Sequence, residues 1–359
     1  MKKTLQHTLL GALAVASAAA SAQSSVRLSG VLDEYVTSRQ LSGALTRLTK
    51  LDSGGMTTSQ LTFDGSEDLG GGLKADFTLS MFLRADTGEQ GRFAADPLFA
   101  RASWMGLSGN VGSVRLGRHP TAAFLNYVRT NAFGDSPAFG PAFLHTWVNP
   151  VGQGTQFLTP AAATGRSLTA PLAGTDNAWN NAVTYLSPNL GGVTFTAQWA
   201  PSESNGVGNR ADAGVYYVSG PLVLAMAREQ FGKGNAPATT PATALNKMTN
   251  WSGNAAYTFG FGRLSAGFLS TKRDYATLSD DKFTTIHVGA SVPLGAGNVL
   301  WQTARSRQTG GVSSTRLTTS VGYDYVFSKR TDLYSVVMND KLTNNSSGNT
   351  LAMGIRHRF

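Results

Sequence analysis

The chain has 359 residues, no cysteine, and only 14% charged residues beside 41 glycines. The charged share lies well below the ~25% of soluble domains, and the missing cysteines exclude disulfides and thiolate metal sites. Without the two lysines of the leader peptide, 28 basic residues stand against 21 acidic ones, a net charge of about +7. These cations are scattered along the chain, so the sequence does not indicate nucleic-acid binding.

Residues 1–22 predict a cleaved secretory signal. Lys2 and Lys3 form its basic start, an apolar run covers residues 9–20, and small residues lead up to Ala22. A membrane anchor is the alternative, but the apolar run is too short to span and consists largely of alanine. The mature chain would then be residues 23–359, outside the cytoplasm. It contains no apolar run of the length that a transmembrane helix needs.

Segments of alternating polarity follow the leader. The clearest one has an apolar face that alternates with a face carrying the polar and charged residues. The apolar face is Leu73, Ala75, Phe77, Leu79, Met81 and Leu83, and the other is Lys74, Asp76, Thr78, Ser80, Phe82 and Arg84. A charged side chain on the lipid face costs ~2–4 kcal/mol at mid-bilayer, so this sorting is typical of a transmembrane barrel strand.

The links between these segments alternate in length, which indicates periplasmic turns on one side and extracellular loops on the other. Counting a strand on each side of every link predicts about 16 strands of ~10 residues, an all-β, antiparallel, transmembrane barrel. The short turns are 67–72, 108–110, 187–192, 219–221, 259–262, 293–297 and 328–330, and longer links include 201–209, 233–249 and 343–349.

One link, residues 119–177, is far longer than ordinary loops. Its part 133–143 contains three phenylalanines among Gly, Ala and Pro, and is too apolar for a solvated linker. A small soluble domain is the alternative, but the segment lacks clear periodicity. We therefore expect a loop folded into a cavity, where its phenylalanines pack.

The last segment, 351–359, also alternates. Arg356 and Arg358 fall on one face, and the apolar residues and Phe359 fall on the other. This is the pattern of a closing barrel strand with its ring in the interfacial girdle. Taken alone, the segment also fits an edge strand of a soluble sandwich, which would be prone to aggregation.

Taken together, these segments make the chain resemble the Gram-negative general porins of the betaproteobacterial type. The resemblance implies a sixteen-stranded homotrimer in the outer membrane, with a third extracellular loop that folds inward to narrow the pore. It also implies that Phe359 belongs to the signal read by the barrel-assembly machinery. The matching stretches are 65–75, 106–109, 116–118, 185–192, 322–333 and 354–359.

The family sets a ladder of wall arginines against acidic groups of the inward loop. Arg118 matches one ladder position, whereas Gln60, Asp64 and Thr184 stand where the pattern has arginine, so the resemblance does not carry over the ion selectivity. The alternative for every candidate is that it only solvates the wall or, for Asp135, shapes a turn. The predicted pore-lining residues are Arg27, Arg84, Arg115, Arg118, Asp33, Asp64 and Asp135.

The sequence offers little for catalysis and indicates no metal site and no cofactor. Its histidines are isolated and lack metal-ligand spacing. Only His287, near the hydroxyl groups of Thr285 and Ser291, is worth testing as a general base that activates a nucleophile. The function expected is passive diffusion of small hydrophilic solutes and ions across the outer membrane, with a weak preference for anions. The alternatives are a substrate-selective porin with a binding site in its constriction, and a barrel enzyme or adhesin. Its expected partners are outer-membrane lipid, two further copies of the chain, and the barrel-assembly machinery.

Overall fold

A computed structural model describes residues 25–44, 46–93, 96–146, 177–234, 245–277, 279–310 and 313–359. The predicted signal, residues 1–22, and the second part of the long loop, residues 147–176, lie outside the described residues.

The described chain is almost entirely antiparallel sheet. Two helices interrupt it within the long loop, α1 (Ala122–Thr130) and α2 (Pro141–Thr146). Neither is long enough or apolar enough to cross a bilayer. The strands are β1 (Ser25–Arg39), β2 (Leu48–Ser53), β3 (Gln60–Gly70), β4 (Leu73–Arg84), β5 (Glu89–Gln90), β6 (Ala102–Gly109), β7 (Gly112–Pro120), β8 (Ala178–Leu186), β9 (Val193–Ala200), β10 (Arg210–Ser219), β11 (Leu222–Phe231), β12 (Leu245–Phe259), β13 (Gly262–Tyr275), β14 (Asp281–Leu294), β15 (Gly297–Thr309), β16 (Ser314–Val326), β17 (Thr331–Leu342) and β18 (Gly348–Arg358).

The sheet closes on itself. Strand β1 pairs with β18 from Val31↔Arg358 to Arg39↔Thr350 on one side, and with both β2 and β3 on the other. Since β2 and β3 run in the same direction along β1, they act as one wall strand interrupted at residues 54–59. Of the 18 described strands, β5 has two residues and lies outside the wall, and β2 and β3 count as one, so the wall has 16 strands. The predicted barrel is confirmed, and closure leaves no unpaired edge.

Side chains alternate between the two faces of the wall as predicted. Met105 and Leu116 on the outer face are 67% and 53% exposed, whereas Tyr35 and Val336 on the inner face are 2% and 1% exposed. The ring of Phe359 lies on the outer face, where it covers Gly30 so closely that a Cβ there would collide with it.

Links at one end of the barrel are short turns and those at the other end are mostly longer loops, again as predicted. We call these the turn end and the loop end. The third link at the loop end begins after Pro120, because His119 and Pro120 still belong to β7, slightly later than the sequence suggested. Both helices of this link pack against the inner face of the wall, α1 on β10, β11 and β12, and α2 on β14, β15 and β16.

Candidate pore constriction

Helix α1 starts the inward segment and is fixed at its first turn and at its middle. Thr121 caps it by accepting a hydrogen bond from the Phe124 amide at 3.2 Å. The carboxylate of Asp212 on β10 accepts a second one from the Ala122 amide at 2.6 Å, where the positive end of the helix dipole favours an anion. The side-chain amide of Asn126 donates to wall carbonyl groups.

Helix α2 is held by its buried histidine. The two ring nitrogens of His145 lie 2.8 Å from Ser306 Oγ and 2.7 Å from Thr318 Oγ1. Burial lowers the pKa of His145 well below its usual range, and the nearby charge of Arg316 acts in the same direction. The imidazole therefore stays neutral and serves as a link between loop and wall.

The segment between the helices packs by its phenylalanines, as the sequence suggested. Phe133 and Phe139 are 2% and 1% exposed and share one apolar cluster with residues of β1, β15, β17 and β18. The ring of Phe139 meets Tyr35 edge-on, with centroids 5.1 Å apart, and lies 6.2 Å from Tyr334. Its carbonyl accepts a hydrogen bond from Ser320 at 2.7 Å.

The interruption between β2 and β3 forms a second, small inward loop, residues 54–59, which the alternating pattern did not indicate. It wraps around the carboxylate of Asp33, which accepts hydrogen bonds from the amides of Gly55, Met56 and Thr57 at 3.2, 2.9 and 2.7 Å. Tyr334 donates a further one from its hydroxyl group. Asp33 faces inward as predicted, but it is 0% exposed, so the structure corrects the expectation that it lines the water-filled space.

The small loop also holds the predicted acidic residue of the long loop. Thr57 donates its hydroxyl hydrogen to Asp135 at 3.1 Å and accepts a hydrogen bond from Arg356 at 2.9 Å. Burial raises the pKa of Asp135, while the charge of Arg101 and the hydrogen bond from Thr57 oppose the rise. Asp135 therefore lies between the two inner loops and the wall formed by β6 and β7.

The wall formed by β6 and β7 carries two arginines. Arg115 on β7 lies over the ring of Trp104, with its Cζ 4.0 Å from the ring centroid, and contacts His119 Nε2 at 2.9 Å. Arg101, just before β6, approaches Ser80 Oγ at 3.4 Å and lies near Asp135. Arg101 was not among the predicted pore-lining residues, and strict alternation from Ala102 and Trp104 places it on the outer face. The irregular chain before β6 turns it inward.

Three other predicted residues face inward within ion pairs. Arg27 contacts Asp64 at 3.0 Å, and Asp64 also accepts a hydrogen bond from Thr78 at 2.7 Å. Arg84 is paired with Glu89 close to the loop end, at 2.5 Å. Neither pair contacts Asp135 directly among the described residues, but Asp64 lies near Arg101, which also lies near Asp135.

Arg118 lies elsewhere than predicted. In the β6–β7 register it is opposite Ser103, one step from the inward pair Trp104 and Gly117, and so on the outward side. Its guanidinium donates to the carbonyl groups of Ala100 and Ala178 at 2.5 and 3.1 Å and is 8% exposed. Regular alternation from the inward Arg115 already places Arg118 on the outer face, and only the resemblance to the family ladder suggested otherwise. The structure therefore corrects the expectation that Arg118 faces the pore.

No group of three or more potential metal-binding side chains occurs among the described residues. His287 is buried, with Nε2 3.2 Å from Asn254 Oδ1, while the hydroxyl of Thr285 bonds to Ser306 instead. The arrangement considered for catalysis is therefore not assembled in the part of the chain that the structure describes.

Comparison with known proteins places this barrel in a family. The model of the Gram-negative porin family matches residues 9–345. Outer membrane porin protein 32 of Delftia acidovorans is 34% identical over 346 residues, covering 93% of this chain and 88% of that protein. A second outer membrane porin protein, from Bordetella pertussis, is 27% identical over 417 residues, with both chains covered in full.

Among solved structures, the anion-selective porin from Comamonas acidovorans superposes with a TM-score of 0.76 at 29% identity, over 94% of this chain and 100% of that one. Members of this family are channels rather than enzymes. The chain thus belongs to the Gram-negative porin family and forms a passive diffusion channel of the outer membrane.

Proposed function

We propose that this channel carries small hydrophilic solutes and ions with a weak preference for anions, selected between the long inward loop and the wall of β6 and β7. The observation that carries the proposal is the charge of that wall. Arg101 and Arg115 form no salt bridge with any residue in the described ranges, whereas Arg27, Arg84 and Arg356 do. A fixed charge in a narrow passage with low-dielectric walls attracts the opposite ion.

Two more arginines add to this field, one in α1 and one near the turn end of β13. Arg129, in the last turn of the helix, lies above the ring of Tyr216, and Arg263 donates to the Arg129 carbonyl at 2.7 Å. Three carboxylates are the counterweights. Asp135 and Asp64 lie near Arg101. Asp76 on β4 lies across Gly106 from Arg115 and is bound by the hydroxyl groups of Ser66 and Ser108. The similar porin from Comamonas acidovorans is described as anion-selective, which supports the same sign here.

The remaining assignments belong to the same proposal. Residues 1–22 are removed as a signal, residues 23–359 form the channel, and the link 119–177 constricts it. Phe359 serves recognition by the barrel-assembly machinery.

The channel is a homotrimer, and the outer surface supports this. Apart from Phe77 and Phe359, the exposed outer aromatics of the described chain fall between Tyr185 and Phe327, while β1, β6, β7 and β18 expose Val, Leu, Ile and Met. A sector without aromatic girdle residues suits burial against neighbouring copies rather than a lipid interface.

The test is the reversal potential of single channels in a planar bilayer under a salt gradient. Wild type should prefer anions, and Arg101→Gln with Arg115→Gln should bring the anion-to-cation permeability ratio towards one. A unit charge at contact distance contributes about 1 kcal/mol in water, a factor of about five, and less as salt screens it. Arg228→Gln, which removes an outward arginine beside Trp251, is the matched control and should leave the ratio unchanged. A cation-selective wild type, or an unchanged ratio in the double variant, would refute the proposal.

A further inference from the structure

Three cations lie on the outer face of the wall near the loop end. Arg305 and Arg307 on β15 alternate with inward Ser306, which is 0% exposed, and Arg305 pairs across the sheet with the outward Ile286. Lys282 on β14 pairs with Thr309 on the same face. All three therefore point away from the lumen.

These cations are not neutralised by the described protein. Lys282, Arg305 and Arg307 make no side-chain hydrogen bond or salt bridge with any residue in the described ranges. The contrast with the next strand is direct, because the outward Lys272 on β13 is paired with Asp274 at 2.7 Å. An unpaired cation on a lipid-facing surface needs either water or an anionic partner.

The three side chains line one groove of about 350 Å³. Hydroxyl groups of Thr284 and Thr309 and the aliphatic side chain of Ile286 complete its lining. Guanidinium groups bind phosphate oxygens in pairs of parallel hydrogen bonds, and lysine adds a point charge. Cations and hydroxyl groups beside an aliphatic surface match a phosphorylated head group whose acyl chains continue along the wall.

The depth of the groove agrees with this occupant. Arg305 lies four residues from Thr309, the last residue of β15, which corresponds to about 13 Å along the strand and about 9 Å of depth at a tilt of ~45°. We infer that this depth corresponds to the head-group level, where an exposed cation costs only ~0–1 kcal/mol. Deeper on the same face, Trp301 is 39% exposed, within the sector that carries the outer aromatics. This sector therefore faces lipid rather than another copy of the chain.

We propose that the groove of Lys282, Arg305 and Arg307 binds the phosphorylated head group of a lipid in the leaflet at the loop end. The phosphate lies between the two guanidinium groups and the ammonium group, and the acyl chains run past Ile286 towards Trp301. The site is separate from the pore and independent of its ion selectivity.

The experiment counts bound lipid on the purified, full-length oligomer in detergent by native mass spectrometry, with diphosphorylated lipid A as the probe. Lys282→Gln, Arg305→Gln and Arg307→Gln are combined in one variant. A cation at a membrane surface contributes about fivefold in affinity, so the triple variant should bind on the order of a hundredfold more weakly. Arg228→Gln, an outward arginine outside the groove, should bind like wild type.

Two comparisons separate phosphate recognition from other causes. Lipid A without phosphates should bind wild type no better than the triple variant binds the phosphorylated lipid. Arg307→Gln alone should lower the affinity about fivefold, which keeps the test valid if the triple variant does not fold. The proposal is overturned if the triple variant binds within about threefold of wild type. It is also overturned if dephosphorylated lipid binds equally well, or if only inorganic phosphate binds.

Discussion

Truncating Phe139 to alanine should loosen the long inward loop without unfolding the barrel. The ring is 1% exposed and sits between Tyr35 and Tyr334 in the cluster that joins loop to wall. Removing a buried phenylalanine costs about 3–5 kcal/mol, which includes the cavity that remains. Because the backbone hydrogen bonds of the wall are closed without the loop, this loss falls on loop docking.

The loss of free energy determines how often the segment around Phe139 is released from the wall. At about 1.4 kcal/mol per tenfold change, the ratio of docked to released conformations of the segment around Phe139 falls by about two to three and a half decades. The helices α1 and α2 keep their own contacts, so only the segment between them should detach. Excursions of this segment should appear as increased open-channel current noise and a higher mean conductance in single-channel recordings.

The control is Phe268→Ala, the same truncation on the outer face, where the ring is 41% exposed. It should leave noise and conductance at wild-type values. Both variants should keep a β-type circular dichroism spectrum and wild-type resistance to heat. A folded Phe139→Ala channel with wild-type noise and conductance would show that this cluster does not position the constriction.

Three further predictions concern the ionisable groups of the inner loops. Asp33→Asn should speed hydrogen exchange of the Met56 and Thr57 amides by about one to two decades, because a hydrogen bond to a charged group contributes about 1.5–3 kcal/mol. The control Asp64→Asn should leave the exchange of these amides unchanged, and equal effects of the two substitutions would contradict the role of Asp33. Burial lowers the pKa of His145, so its contribution to loop stability is complete above the unfolded pKa of about 6.5 and is lost as the pH falls below it. Amides of α2 should therefore exchange faster on acidification in wild type but not in His145→Gln, and a pH-independent wild type would contradict this. Burial raises the pKa of Asp135, so this carboxylate takes up a proton at a higher pH than an ordinary aspartate. Losing its negative charge should strengthen the preference for anions on mild acidification, seen as a pH-dependent change of the reversal potential. Asp135→Asn should abolish this change, and a change that persists in the variant would assign it to another group.

Much of the wall could be predicted because the chemistry of each face is repeated every second residue. Leu73 to Arg84 sorts its apolar and charged side chains as the sequence indicated, and the short turns separate the strands where Gly and Asn allow tight reversals. Arg27, Arg115 and Arg356 lie on the inner face, where the same alternation places them.

The irregular positions could not be predicted from that period. Arg101 lies next to a break in regular pairing, and a shift of one residue moves a side chain to the other face. Arg118 is a different case, because alternation from Arg115 places it outward and only the family resemblance assigned it to the pore. Such breaks depend on contacts with distant strands rather than on the local pattern. The loop 54–59 is a further case, since the carboxylate of Asp33 that organises it lies more than twenty residues earlier in the chain.

The cluster around Phe139 also sets an order of events during assembly. Its wall residues include Tyr35 on β1, Tyr334 on β17 and Ala352 on β18. The first strand meets the last one only when the sheet closes, so no open sheet offers this docking surface. Helices α1 and α2 pack against strands between β10 and β16, so their docking does not require closure. Contacts between opposite ends of a chain form slowly, and we therefore expect the segment around Phe139 to take its final position only after the wall is complete.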